Sequence, residues 1–123
     1  MNIYFKNTHP DVQTSLISRA EKKINSLSKQ IDEGRFEAQT YVEITKATGS
    51  QHSDAAWRTS INVDIRGERF HAESVQNTPE KATNRAINEI RSELRTHRER
   101  ERVTERKDGS FWKTLQQRDF SPQ

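Results

Sequence analysis

Cysteine is missing from this chain of 123 residues, and glycine and proline are scarce. The absence of cysteine excludes a disulfide framework, a thiolate zinc site and a cysteine nucleophile. The four glycines are scattered, so the chain offers no glycine-rich loop to hold a phosphate. No stretch approaches the roughly 20 apolar residues that cross a bilayer, and the first ten residues lack a basic start followed by an apolar run. We therefore expect a cytoplasmic protein without a membrane partner.

Charge is abundant but nearly balanced. Charged residues make up 32% of the chain and apolar residues only 29%, so a core must be built from amphipathic elements. The 21 basic and 18 acidic side chains give a formal net charge of +3. This excess is too small to indicate a nucleic-acid partner unless the basic residues are concentrated on one face. The length favours one domain with a single core.

The first part of the chain predicts a strand and a helix. The segment NIYFKN alternates, which places Ile3 and Phe5 on one side of a short strand. An apolar stripe with spacings of three and four residues then runs from Val12 to Ile31, which predicts one helix. The segment THPD before the stripe suits the first turn of that helix, and Gly34 suits its C-terminal end.

Three segments with alternating apolar and polar residues follow, and each predicts a strand with one buried face. The predicted buried positions are Phe36, Ala38, Thr40, Val42 and Ile44, then Trp57, Thr59, Ile61, Val63 and Ile65, then Phe70, Ala72 and Ser74. Arg66 and Gly67 suit a tight hairpin between the last two strands. The polar segment 47–54 suits a longer loop before them, so the three strands are predicted to form an antiparallel meander.

Thr78 and Pro79 indicate the start of a second helix, as the N-cap and first-turn residues. Its predicted apolar side consists of Ala82, Ala86, Ile87, Ile90, Leu94 and His97. The order β-α-β-β-β-α predicts an α+β fold, with both helices packed on one face of a four-stranded sheet. We predict that this domain spans residues 1–104 and that residues 105–123 form a C-terminal tail.

The charged run IRSELRTHRERERVTERK at 90–107 separates its basic residues from most of its acidic ones. On a helical wheel at about 100° per residue, one flank of the second helix carries Arg91, Arg95, Arg98, Arg102 and Arg106. The first helix has a weaker counterpart in Arg19, Lys22, Lys23 and Lys29. Arg/Glu runs are usually solvated faces held by i,i+4 ion pairs. Segregation on two helices favours instead a polyanion with regularly spaced phosphates, and the residues alone leave both interpretations open.

The segment FHAESVQNTPEKATNRAINEIRSELRTHRER, residues 70–100, resembles the last strand and helix of the ribosome hibernation promoting factor and ribosome-associated inhibitor A family. KKINSLSKQID resembles the end of that family's first helix. The matching positions are His71, Ala72, Ala82, Ile87, Ile90, Leu94, Arg95, His97 and Arg98, with Leu16, Lys23, Leu27 and Asp32 in the first helix. Four positions depart from the family pattern: Glu80, Asn84, Glu89 and Ser92. The tail does not resemble the family's C-terminal dimerisation domain, so the resemblance implies a short form.

The resemblance implies binding to the small ribosomal subunit, in the channel that messenger and transfer RNA use. Such binding would block translation and preserve idle ribosomes under stress. Lys23, Arg95 and Arg98 match basic positions that the family directs toward 16S ribosomal RNA. The helical wheel, independently of the resemblance, adds Arg19, Lys22, Lys29, Arg91 and Arg102. The expected partners are the small subunit and the 70S ribosome, bound by a monomer that uses no cofactor and no small-molecule substrate.

Two other classes of binding protein remain open. A general double-stranded RNA-binding module also packs helices on an antiparallel sheet, but the leading strand and the missing lysine-rich helix start count against it. A protein-interaction domain could use Phe111, Trp112 and Phe120 of the tail as a partner anchor, whereas Trp57 is expected in the core. The four histidines show no metal-ligand spacing, and no serine has the context of a nucleophile. We expect neither a metal site nor an enzyme.

Overall fold

The elements follow the order β-α-β-β-β-α in a computed structural model that describes residues 1–31, 37–47 and 56–107. Side chains are described for these residues except residue 30 and residues 101–107. The strands are β1 (Asn2–Phe5), β2 (Ala38–Lys46), β3 (Trp57–Ile65) and β4 (Glu68–Gln76). The helices are α1 (Thr14–Asn25) and α2 (Pro79–Lys107), and a 3₁₀ turn (Ser26–Gln30) continues α1. The predicted element order and α+β class are confirmed.

The four strands form one mixed sheet in the order β1-β2-β3-β4. β2, β3 and β4 form the predicted antiparallel meander, with Val42 opposite Ile61 and Ile61 opposite Ala72. β1 lies at the edge and pairs with β2 in parallel. A parallel pair needs a crossover connection, and α1 supplies it. Arg66 and Gly67 form the two-residue hairpin turn, where both residues have positive φ, 56° and 84°.

Both helices pack on the same face of the sheet. The strands supply the buried residues Ala38, Thr40, Val42, Ile44, Thr59, Ile61, Val63, Ala72 and Ser74. The helices and the 3₁₀ turn supply Leu16, Ala20, Ile24, Leu27, Ala82, Thr83, Ala86, Ile87, Ile90 and Leu94. Trp57, Ile65 and Phe70 are partly buried against this core, as their alternation predicted. The hydroxyls of Thr59 and Thr83, both fully buried, bond to each other at 2.9 Å between β3 and α2.

The predicted limits of the first helix are wrong at both ends. α1 begins at Thr14 rather than at Pro10 or Asp11, because the chain before it forms a turn. In that turn the His9 N–H donates to the Ile44 carbonyl at 2.9 Å, and the Val12 N–H donates to the His9 carbonyl at 3.0 Å. At the other end the 3₁₀ turn replaces regular helix and buries Leu27.

The other element ends are close to their predicted positions. β4 extends beyond the predicted residues 70–74 at both ends. The Thr78 hydroxyl accepts from the Lys81 N–H at 3.1 Å, so Thr78 caps α2 as predicted. α2 continues through residue 104 to Lys107, and the domain division at 104 stays a prediction. Gly34, Phe36 and the tail residues Phe111, Trp112 and Phe120 lie outside the described residues.

Candidate nucleic-acid interface

α1 and α2 lie side by side and run in the same direction. Three contacts join them in ascending order along both segments: Arg19 with Glu80, Lys23 with Asn84, and Lys29 with Arg98. The basic flanks that the helical wheel predicted therefore lie along the line of contact between the two segments. We call this surface the two-helix face and define it by Arg19, Lys22, Lys23, Lys29, Arg91, Arg95 and Arg98. Arg102 and Arg106 lie farther along α2, and their side chains are outside the described part of the chain.

Most cations of the two-helix face have no carboxylate partner among the residues that the structure describes. Arg19 lies 3.6 Å from Glu80, but both side chains are more than half exposed, so the pair contributes at most about 1 kcal/mol. Lys23 donates to the neutral Asn84 amide at 2.9 Å, and Arg91 donates to the neutral Asn88 amide at 2.9 Å. These contacts orient the cations without neutralising them.

The arginines of the two-helix face on α2 lack, within the described residues, the i,i+4 ion pairs that a solvated Arg/Glu helix would show. Within the described residues, Arg91, Arg95 and Arg98 contact no glutamate of α2. Glu89 and Glu93 occupy the other flank of the helix, where Glu93 borders a groove beside Phe70. The separation of charge therefore persists in the folded chain, and the two-helix face presents net positive charge.

Two polar residues of α2 contact the basic residues of α1. Glu80 and Asn84 lie on the flank of α2 that faces α1, where they receive Arg19 and Lys23. The sequence gives no signal for these contacts, because the partners are 61 residues apart and meet only after both helices have packed. Glu80 and Asn84 therefore help to position the basic residues of α1.

Arg98 has a structural contact inside the protein. Its guanidinium donates to the backbone carbonyl of Lys29 in the 3₁₀ turn. This bond joins the 3₁₀ turn to α2. Arg95, one turn earlier, is exposed and has no such contact within the described part of the chain.

The histidines and Trp57 have structural surroundings. The His97 ring lies edge-on to Phe70 with centroids 5.0 Å apart, and its Nδ1 is 3.6 Å from a Glu68 carboxylate oxygen. His71 bonds to Asn62 at 2.7 Å. Trp57 packs against the core and meets the His9 ring edge-on at 5.2 Å.

The described residues offer neither a metal-binding cluster nor a membrane-spanning helix. No group of three or more histidine and acidic side chains there could hold a metal ion. No helix in that part of the chain is both long and apolar enough to cross a membrane.

These features define the class as an α+β domain with a sheet, two parallel helices on one side of it and a cationic face along those helices. The chain belongs to the sigma 54 modulation protein / S30EA ribosomal protein family, whose sequence pattern matches residues 1–102. The predicted family is thereby confirmed. It is a family of ribosome-associated interface and hibernation proteins and is not known as an enzyme family.

Two solved structures show the same fold. The crystal structure of the Thermus thermophilus Protein Y N-terminal domain is 20% identical, has a TM-score of 0.60, and aligns over 79% of this chain and 99% of that domain. A ribosomal subunit interface protein from Coxiella burnetii is 12% identical, with a TM-score of 0.57 over 78% of this chain and 93% of its own. At these identities the likeness concerns the fold alone. No curated protein matches the chain significantly.

Proposed function

We propose that this protein binds the small ribosomal subunit through the two-helix face and occupies the channel that messenger and transfer RNA use. Inhibition of translation then follows from steric exclusion, and an idle 30S subunit or 70S ribosome is preserved while the channel is filled. Family membership supports association with the ribosome. The RNA-binding surface is inferred from the line of cations along two parallel helices, most of which have no carboxylate partner within the described ranges.

The spacing of the cations suits a nucleic-acid backbone. Arg91, Arg95 and Arg98 span about 10 Å along α2 at about 1.5 Å per residue. A duplex carries one phosphate charge per about 1.7 Å of its axis, so this span reaches several phosphates. The lysines of α1 and the 3₁₀ turn extend the cationic surface beside α2. In addition, a guanidinium can bond two phosphate oxygens at once.

The contacts between the helices favour a surface that is formed before RNA binds. The Lys23–Asn84 bond joins α1 to α2, and the Arg98–Lys29 bond joins the 3₁₀ turn to α2. Side chains that are already oriented lose less conformational entropy on binding. No covalent step is required of any residue, and the protein acts as a monomer in the cytoplasm.

Co-sedimentation with purified 30S subunits, 70S ribosomes and a structured control RNA tests this proposal. The informative variant is Lys22→Glu/Arg95→Glu, because both side chains are exposed and neither has a partner within the described residues. The matched control is Lys46→Glu/Arg85→Glu, which makes the same charge change at exposed positions outside the two-helix face.

We expect saturable one-to-one binding to 30S and 70S, lost in the Lys22/Arg95 variant and kept in the control. Equal binding to the structured control RNA would indicate a general RNA-binding module instead. Full binding by a folded Lys22/Arg95 variant would contradict the proposed surface.

A further inference from the structure

The face of the sheet opposite the helices is covered by no described element, and it carries an exposed aromatic pair. The rings of Tyr4 on β1 and Tyr41 on β2 stack with centroids 5.4 Å apart and planes 21° from parallel. Tyr4 is 44% exposed and is the one large hydrophobic side chain exposed to this degree in the described residues. The Lys6 Nζ lies 4.7 Å from the centroid of the Tyr41 ring.

The carboxylates that β2, β3 and β4 direct to this face are all engaged by donors. Asn7 donates to Glu43 at 3.3 Å. Asp64 accepts from the Gly67 N–H at 3.0 Å and lies 3.5 Å from the Arg69 guanidinium. Glu73 lies 3.1 Å from the Arg58 guanidinium and 3.5 Å from His71. Within the described part of the chain, the Lys6 side chain contacts only the Tyr41 ring and forms no ion pair.

A shallow recess of about 350 Å³ adjoins the aromatic pair. Its lining includes Tyr41, Lys6, Arg69 and Asn62, together with the carboxylates of Glu43 and Asp64. The Asn62 oxygen is bonded to His71, which leaves the amide N–H groups as donors. The recess therefore combines an aromatic wall, an amide donor, the Lys6 ammonium and the Arg69–Asp64 ion pair. Its volume is at the lower end of the range for small-ligand sites.

We infer that this open sheet face binds unpaired RNA nucleotides, with a base stacked on the Tyr4–Tyr41 pair and a phosphate at Lys6. Every base has a π face, so stacking on aromatic side chains tolerates any sequence, and an adjacent cation holds the backbone. Unpaired bases are the part of a structured RNA that aromatic side chains can reach. The inference rests on the proposed function in one respect: the unpaired RNA is taken to be part of the ribosome. It adds a second contact surface on the side of the sheet opposite the two-helix face.

Fluorescence anisotropy of a labelled single-stranded RNA of about eight nucleotides, a typical site size for such proteins, tests this inference. The Tyr4→Phe variant keeps the ring, whereas Tyr4→Ala removes it and Tyr4→Leu keeps bulk without aromaticity. We expect Tyr4→Phe to bind within about twofold of wild type, and both other variants to bind about tenfold or more weakly. Lys6→Gln is expected to reduce the salt dependence by about one phosphate contact. Circular dichroism establishes that each variant is folded.

The Lys22→Glu/Arg95→Glu variant separates this inference from the proposed function. Whatever its overall affinity for the single strand, that affinity is expected to remain sensitive to Tyr4→Ala, because the aromatic pair lies on the side of the sheet opposite the two-helix face. No binding by wild type, or binding unchanged by both Tyr4→Ala and Tyr4→Leu, overturns the inference. Loss of single-strand binding only in the Lys22/Arg95 variant overturns it as well, since the oligonucleotide would then bind the helices. Tyr4-dependent binding together with no ribosome binding supports the inference and refutes the proposed function alone.

Discussion

For 30S binding, neutralising one cation of the two-helix face should reduce the slope of log K against log salt concentration by a constant amount. Seven cations define the face, and one of them, Arg19, faces the carboxylate of Glu80. Six remain available for phosphate: Lys22, Lys23, Lys29, Arg91, Arg95 and Arg98. Each phosphate contact contributes about −0.7 to −0.9 to the slope of log K against log salt concentration. Six contacts predict a wild-type slope of about −4.2 to −5.4.

The assay is the equilibrium affinity for 30S subunits at several monovalent salt concentrations and constant magnesium. Between about 50 and 200 mM salt, the predicted slope weakens wild-type binding about 300- to 2,000-fold. The Lys22→Gln and Arg95→Gln variants should each reduce the magnitude of the slope by about 0.7 to 0.9, and the double variant by twice that amount. Neutralisation is preferred to charge reversal here because it adds no repulsion.

Arg85→Gln is the control for this series, since Arg85 is exposed on α2 outside the two-helix face. Its slope should equal that of wild type. The reasoning is refuted if the double variant binds more weakly with an unchanged slope, because its side chains would then not be contacting phosphates. An Arg85 variant with the same decrease in slope would show that net charge, and not this face, sets the salt dependence.

Three predictions concern the packing that positions this face, and urea unfolding measures each. Arg98→Gln should lower the free energy of unfolding by about 1–2 kcal/mol, because the Lys29 carbonyl loses a charged donor. Thr83→Val should cost about 1–3 kcal/mol, since it leaves the buried Thr59 hydroxyl unpaired, and adding Thr59→Val should recover much of that loss. Ile90→Ala should cost about 2–5 kcal/mol, because Ile90 is fully buried between α2 and the sheet.

Each of these stability predictions has an outcome that would contradict it. A loss in the Thr83 variant that persists in the double variant would show that packing, and not the unpaired hydroxyl, sets the cost. Unchanged stability of Arg98→Gln would mean that the contact with the 3₁₀ turn does not hold in solution. A change below about 1 kcal/mol for Ile90→Ala would mean that the cavity collapses or that α2 does not cover the sheet.

The order of elements could be predicted because its signals are local. Period-two alternation determined the buried face of β2, β3 and β4, and the Arg66–Gly67 pair determined a hairpin. The end of α1 could not be predicted, because Ile24 and Leu27 are three residues apart, a spacing that fits both an α-helix and a 3₁₀ turn. The parallel pairing of β1 with β2 was also not predicted, and the Tyr4–Tyr41 stack depends on it.

The sequence predicted which flank of each helix carries the basic residues, but not which residues their side chains contact. The helical wheel requires only the helix period, so it placed Arg91 and Arg95 on one side of α2 correctly. The partners Glu80 and Asn84 depend on how two helices pack, which no local pattern encodes. The same holds for Arg98, which the sequence predicted solely as an RNA contact and which also holds the 3₁₀ turn.

Competition on the 30S subunit tests the central claim most directly. The affinity of the labelled protein is measured on empty 30S subunits and on subunits already filled with messenger RNA and transfer RNA. Occupation of the shared channel predicts mutually exclusive binding, so that the apparent affinity falls in proportion to the concentration of the RNA ligands. Simultaneous binding with an unchanged dissociation constant would contradict the account and would place the protein elsewhere on the ribosome.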